Sequence, residues 1–281
     1  MKKITLITIA GVAFIALAAC NKIEEVSAPQ QTLKLDLNII TSTDTKAVKT
    51  GWETGDKVYV FFGKPEDHTT PAYLTLTYAG GKWNAAWTGS LESEIAATSS
   101  GTLSAVYTQG SFSEIQYNSY FKWYVFIDST CGYYMKCNSV PYTVSAGVLT
   151  ATLNMAVPTN GYVQFFLAGE SANVDNLQFA CDDILKTRLG LVDEEGEIGQ
   201  SNSSPGDAFN GIVYKGGIIF SGILYNYNGI SHPYTLTITD TKGTADTSDD
   251  VTYTTTKTRT INYGDALVLP ALDDPAWTVT P

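Results

Sequence analysis

The chain is poor in the residues that do chemistry. It has 2 histidines, 4 cysteines and 3 methionines among 281 residues, and only 16% of residues are charged. Two histidines leave little scope for imidazole acid–base work or His-rich metal sites. G-x-S-x-G, H-E-x-x-H, P-loop and G-x-G-x-x-G patterns are all missing, so the common hydrolase, metalloprotease and nucleotide-binding chemistries have no foothold. Lys and Arg number 17 against 28 Asp and Glu, a net charge of −11, and the basic residues do not cluster. That argues against nucleic acid and against polybasic docking on anionic lipid. Beyond residue 19 no run approaches eighteen apolar residues, so no later segment reads as a spanning helix.

The start of the chain is different. Lys2 and Lys3 precede an apolar run from Ile4 to Ala19. Sixteen residues are short for a membrane helix and suit a secretory signal peptide. The run ends in "LAAC", a lipobox-like context in which Cys20 becomes acylated and the new N-terminus. Acyl chains favour the bilayer by about 0.8 kcal/mol per buried CH₂. The expectation is a lipid-anchored, exported chain. Export brings the remaining Cys131, Cys137 and Cys181 into an oxidising compartment. "CGYYMKC" offers a Cys131–Cys137 loop, and Cys137–Cys181 is the alternative pair. Their spacing does not suit a metal.

Apolar residues make up 44% of the chain, enough for a large core. Nearly every segment alternates with period two or is rich in Thr, Val, Ile, Tyr and Phe, the marks of strands. "LKLDLNII" (33–40) is the cleanest case: Leu33, Leu35, Leu37 and Ile39 face one way, Lys34, Asp36 and Asn38 the other. Further strands are expected at 56–62, 101–108, 122–128, 147–155, 162–169, 176–184, 217–227, 234–240, 251–258 and 265–272. Residues 72–87 read as a hairpin about Gly80-Gly81, with Trp83 and Trp87 on one face of its return arm. Residues 90–100 are the one helical segment, with Ser90 as N-cap and Leu91 and Ile95 a turn apart. "YFKWYVF" (120–126) is apolar on both faces and reads as a central strand. The pattern predicts an all-β chain of sandwich type. The polar break at "AVPTNG" places a domain boundary near 156–157.

Candidate chemistry is thin. His68 and His232 sit in turn-like contexts. Asp240, Asp246, Asp249 and Asp250 crowd one loop, a weak oxygen-rich candidate for Ca²⁺ whose spacing departs from the EF-hand pattern. The plain reading is a charged hairpin tip. No other metal and no cofactor is implied. The aromatic content of 12% fits either a sandwich core or stacking platforms for sugars.

Several segments, taken in order, resemble the fimbrillin-like family of type V pilus subunits and accessory proteins. They are "GWETGDKVYVFF" (51–62), "YAGGKW" (78–83), "SGTLSAVY" (100–107), "LNMAVPTNGYVQFFLAG" (153–169) and "DPAWTVTP" (274–281), behind a lipobox. The resemblance covers 51–169 well and the last hundred residues poorly. It implies two tandem transthyretin-like Greek-key β-sandwich domains: a signal peptide (1–19), a lipid leash with first strand and linker (20–50), an N-terminal sandwich (51–156, with strand 33–40) and a C-terminal sandwich (157–281). It implies a non-catalytic, adhesive, surface-exposed fimbrial protein of the outer membrane, anchored through Cys20. The implied partners are other pilus subunits, joined by strand addition, and a host or bacterial surface ligand. In that family the first strand is cut away and replaced by a donor strand. Here the strand would be Leu33, Leu35, Leu37 and Ile39, and the linker offers Lys46 and Lys49 as cleavage sites, where the family's processing follows arginine. The alternative is a lipid-anchored module that binds glycan or protein outside any pilus. Pro270, Pro275 and Pro281 make the C-terminus awkward as a long inserted strand.

Overall fold

Strand-forming residues at period two, punctuated by glycine, give an almost wholly β chain. The computed structural model describes residues 33–41, 51–68, 70–108, 112, 114–127, 134–158, 161–169, 174–193, 195–214, 216–225 and 227–281. Cys20, Lys46, Lys49 and Cys131 lie outside them. The strands are β1 (Lys34–Thr41), β2 (Lys57–Phe62), β3 (Tyr73–Ala79), β4 (Lys82–Trp87), β5 (Ser100–Thr108), β6 (Glu114–Asn118) and β7 (Trp123–Ile127). They continue as β8 (Tyr134–Ser145), β9 (Val148–Met155), β10 (Tyr162–Ala168), β11 (Leu177–Ala180), β12 (Ile184–Val192), β13 (Ile198–Pro205) and β14 (Phe209–Asn210). The last are β15 (Ile212–Tyr214), β16 (Gly217–Leu224), β17 (Ser231–Asp240), β18 (Val251–Thr260), β19 (Ala266–Leu269) and β20 (Thr278–Thr280). The expected helix is α1 (Leu91–Ala96), which buries Leu91 and Ile95. Among the described residues no helix is long and apolar enough to cross a membrane.

Three sheets result. The first runs β1-β9-β8-β5-β2-β3-β4, the second β19-β10-β16-β12-β7-β6 with β13 on β12 and β15 on β16, and the third β14-β11-β17-β18-β20. In the first sheet the β3–β4 hairpin turns at Gly80 (φ 59°) and Gly81 (φ 79°), the left-handed pair that a two-residue hairpin loop requires.

Alternation sorts the side chains among three cores. Along β2, Val58, Val60 and Phe62 enter a first core, while Tyr59 and Phe61 enter a middle one. β2 is therefore packed on both faces, and its near-continuous apolar sequence follows from that. The first core draws on all seven strands of the first sheet and on α1. The middle core lies between the first and second sheets, where Phe61 and Val106 meet Ile115, Tyr124, Phe126 and Val192. Along β10, Tyr162 faces the middle core, while Val163, Phe165 and Leu167 face a last core against the third sheet. The expected boundary at 156–157 falls between β9 and β10. Strands from before and after it share the second sheet, since β12 pairs antiparallel with β7.

The β12–β13 hairpin also reaches back onto the first sheet. The buried Ser104 Oγ donates to the Gly196 carbonyl at 2.6 Å. Ile198 N donates to Asn138 Oδ1 at 3.0 Å, and Ser139 Oγ to Glu197 Oε1 at 2.8 Å. Lys136 Nζ donates to the Ile198 carbonyl. Burial holds the Lys136 ammonium below the usual lysine range, against the opposing pull of Glu197 and Asp193. Gly196 has φ +83°, and a Cβ there would stand 2.3 Å from the Gly63 carbonyl oxygen.

Several expected elements differ in the structure. Residues 120–126 do not form one strand: β7 starts at Trp123, Tyr124 and Phe126 are buried, and Tyr120 and Phe121 lie exposed in a turn. His232 lies within β17, not in a turn. Segments 176–184 and 217–227 are also shorter as strands, ending at Ala180 and Leu224.

Gly196→Ala should destabilise the chain by at least about 1–3 kcal/mol through φ strain alone, with the Gly63 overlap adding to it. Urea unfolding measures this. A loss below about 0.5 kcal/mol, the level of an ordinary surface change, would mean the hairpin tip is not docked.

Candidate strand-exchange edge

β1 is the outer strand of the first sheet and, among the described strands, pairs with β9 alone. The pairing is parallel, from Lys34 opposite Val148 to Thr41 opposite Met155. Every other neighbouring pair in that sheet is antiparallel. The expected alternation holds. Leu33 is buried, and Leu35, Leu37 and Ile39 are partly buried against the first core. Lys34, Asp36 and Asn38 are exposed. Leu33 precedes the strand proper, which runs one residue further than expected, to Thr41.

Beyond its ladder with β9, four contacts fix β1 in place. Its first amide, Lys34 N, donates to the Gly147 carbonyl at 3.0 Å. Leu33 N donates to Glu92 Oε1 of α1 at 2.9 Å. Trp52 Nε1 donates to the Ile39 carbonyl at 3.3 Å. The fourth contact is apolar: four Leu and Ile side chains, one fully and three partly buried, contribute on the order of 5–10 kcal/mol.

Trp52 joins the two edges of the sheet. It caps Ile39 of β1, and its ring meets Trp83 of β4 edge-on at 4.9 Å and Tyr107 of β5 at 5.4 Å. Trp83 and Trp87 pack on the first core as expected, Trp87 stacking on Phe62 at 5.6 Å. Neither Trp52 nor Glu92 was singled out by sequence as holding β1. The only signal is a tryptophan just before a strand and an acidic residue in the first turn of a helix.

The remaining candidates are scattered. Asp240 takes Lys242 as its partner, Asp246 Oδ1 accepts from Ser248 N at 3.0 Å, and Asp249 Oδ1 accepts from Thr244 Oγ1 at 3.0 Å. The Ser248 amide lowers the Asp246 carboxyl. Among the described residues no three His, Cys, Asp or Glu side chains converge as a metal site would need. His68 Nδ1 lies 3.4 Å from Glu94 Oε2, and His232 Nε2 lies 3.4 Å from Asp183 Oδ2 with its ring stacked on Tyr227 at 3.8 Å.

Cys137 and Cys181 are both free thiols, so the Cys137–Cys181 pairing does not form. The reason is topological: Cys137 packs on the first core and Cys181 in the last. Burial pushes Cys137 up to about 11 and Cys181 up to about 12.

No protein-family model and no curated protein matches the chain. Solved structures that are similar include a fimbrial protein from Bacteroides ovatus, with 11% identity and a TM-score of 0.33 over 85% of this chain and 48% of that one. Another is an adhesin candidate from Bacteroides ovatus, with 12% identity and a TM-score of 0.29 over 73% of this chain and 72% of that one. A third is a shaft pilin from Lactobacillus rhamnosus GG, with 11% identity and a TM-score of 0.23 over 86% of this chain and all of that one. The chain spans about half the length of the fimbrial protein. Likenesses this distant carry no argument about what the chain does.

Two outcomes follow from this geometry. Trp52→Ala should cost about 2–4 kcal/mol, below the full 3–5 of a wholly buried tryptophan, and should speed amide exchange along β1 before the rest of the sheet. Uniform exchange, or a loss under about 0.5 kcal/mol, would remove Trp52 as the fastener. Peptide mapping after alkylation at about pH 8 should find Cys137 and Cys181 protected when folded and labelled when denatured. Because both folded thiols lie above the ordinary value of 9.0, their contribution is complete below that pH and is lost as pH rises toward about 11 and about 12. Rapid labelling of the folded protein would contradict their burial.

Proposed function

We propose that this chain is a non-catalytic, cell-surface fimbrial subunit, tip or accessory protein that assembles by strand addition at the β1 edge. The observation that carries the reading is the position of β1. It is a parallel edge strand whose apolar side enters the first core, and it is followed directly by the segment bearing Lys46 and Lys49.

Without β1, every second residue of β9 loses its outer hydrogen-bond partners. A row of unpaired N–H and C=O groups along an apolar trough is a template for another strand. Parallel pairing is slightly less stable per residue than antiparallel. A donor entering antiparallel would therefore bind that trough at least as well as β1 did. The loss of about 5–10 kcal/mol of apolar burial is comparable to a whole domain's stability of about 5–15. Removal uncoupled from replacement would leave a weak, adhesive edge.

In this reading Cys20 carries the lipid that holds the precursor at the outer membrane. Tandem transthyretin-like sandwiches are part of this reading, with the β6–β7 hairpin of the first half joining the second sheet. Donor-bearing subunits are the protein partners. The fimbrillin-like motifs of the sequence support this assignment.

Limited trypsin digestion of the folded chain tests it. The first cut is expected after Lys46 or Lys49, and uptake of a donor peptide only after that cut. A linker that resists trypsin while other loops are cleaved, or a cut protein that never takes up a donor, would make β1 a permanent strand.

A further inference from the structure

The second sheet ends in a hairpin whose tip carries exposed aromatic rings. β6 and β7 pair from Glu114 opposite Ile127 to Asn118 opposite Trp123. Residues of one register row point to the same face. Ile115, Tyr117, Tyr124 and Phe126 therefore turn inward to the middle core. Glu114, Gln116, Asn118 and Trp123 turn outward.

At the tip Tyr120 is 85% exposed and Phe121 51% exposed. Phe121 stacks on Trp123 at 4.5 Å and 28°, and Tyr120 stands edge-on to Phe121 at 4.7 Å and 86°. These rings are held rather than loose. Asn118 Oδ1 accepts from both Tyr120 N and Phe121 N at 3.1 Å, and the Asn118 carbonyl accepts from Lys122 N at 2.8 Å. Lys122 sits at φ 58°, and its Nζ donates to Glu66 Oε2 at 3.1 Å. On the same outward face Gln116 Nε2 donates to Glu114 Oε2 at 2.9 Å.

Folding gives no reason to present two large rings to water on a turn that any polar pair could make. Adjacent exposed rings on a fixed turn form a candidate interaction surface. We propose that the Asn118–Trp123 tip, with Gln116 and Glu114 beside it, is a binding site for neutral pyranose glycans.

The chemistry selects that ligand. The axial C–H groups of a pyranose present a weakly positive face to the negative face of an aromatic ring. Phe121 stacked on Trp123 offers such a face, and Tyr120 stands across it as a wall. Gln116 and Glu114 supply amide and carboxylate groups for ring hydroxyls. The one lysine at the tip is already engaged by Glu66, and the chain carries −11, so an anionic sugar or an anionic membrane finds no charge partner. The tip is also too narrow for a stable protein interface, which takes about 800 Å² from each partner. This site lies in a different sheet from β1 and stands or falls apart from strand exchange.

Calorimetric titration of the full chain with maltoheptaose, cellohexaose and mannohexaose, alongside a sialylated lactose, tests the proposal. At least one neutral oligosaccharide should bind with a Kd near or below about 1 mM and shift the Trp fluorescence. Phe121→Ala and Tyr120→Ala should each weaken it about tenfold or more, with the melting temperature unchanged because both side chains are exposed. Gln116→Ala should weaken it less. Failure of all three neutral sugars to bind, binding only of the sialylated one, or affinity indifferent to Phe121 and Tyr120 would overturn the assignment. With five tryptophans in the chain, the fluorescence change identifies this tip only if Trp123→Phe abolishes it while binding persists; a change that survives in Trp123→Phe would place the sugar elsewhere.

Discussion

One parallel strand pairing governs the first sheet. β1 lies along β9 with its other edge unpartnered by any described strand, and its four apolar side chains close one side of the first core. Everything else that holds it is thin: the Gly147 carbonyl at one end, the Glu92 carboxylate on α1, and the Trp52 indole on Ile39. A strand kept by side-chain burial more than by a ladder on both sides can be exchanged for another that buries equivalent side chains. A central strand such as β2, packed on both faces and paired with β3 and β5, cannot. The distinction is one of position, since both strands are equally good strand formers.

The middle core forms a cluster separate from the one that β1 enters. The middle core joins the first and second sheets through Phe61, Val106, Tyr124 and Phe126, and none of these touches β1's apolar row. The β12–β13 hairpin adds a second tie, with Ser104, Asn138 and Ser139 gripping its tip. A tie of this kind makes relative motion of the first and second sheets costly, because separating them breaks the Ser104–Gly196 hydrogen bond and exposes the apolar middle core to water. The aromatic tip on β6–β7 stands on that same second sheet, so a ligand held there would load the connected part of the structure rather than the β1 edge.

Much of this was legible in the residues, and the illegible parts share a cause. The alternation of 33–40, the Gly80-Gly81 turn and the Leu91/Ile95 spacing are local signals, and all three elements formed. The partner of β1 was not legible, because period two fixes a strand's faces and says nothing of its neighbour. β8 was missed because Pro141 interrupts its pattern; it sits opposite Thr102, in a strand that also carries Ser139 at φ 52°. The docking of Gly196 was hidden in an acidic turn, since its reason is a carbonyl more than a hundred residues away. "YFKWYVF" misled because an apolar run conceals a turn set by a side chain before it, Asn118, and by a lysine in the left-handed region. The Cys137–Cys181 pair failed because two cysteines in one chain need not share a core.

On the proposed exchange, β1 belongs to the precursor and not to the assembled form. Intact-mass spectrometry on the protein isolated in its polymerised state from the cell surface tests it most directly. The account predicts an N-terminus just after Lys46 or Lys49, with the acylated Cys20 form confined to unassembled material. Assembled protein that still begins at acylated Cys20 and retains "LKLDLNII" would contradict it.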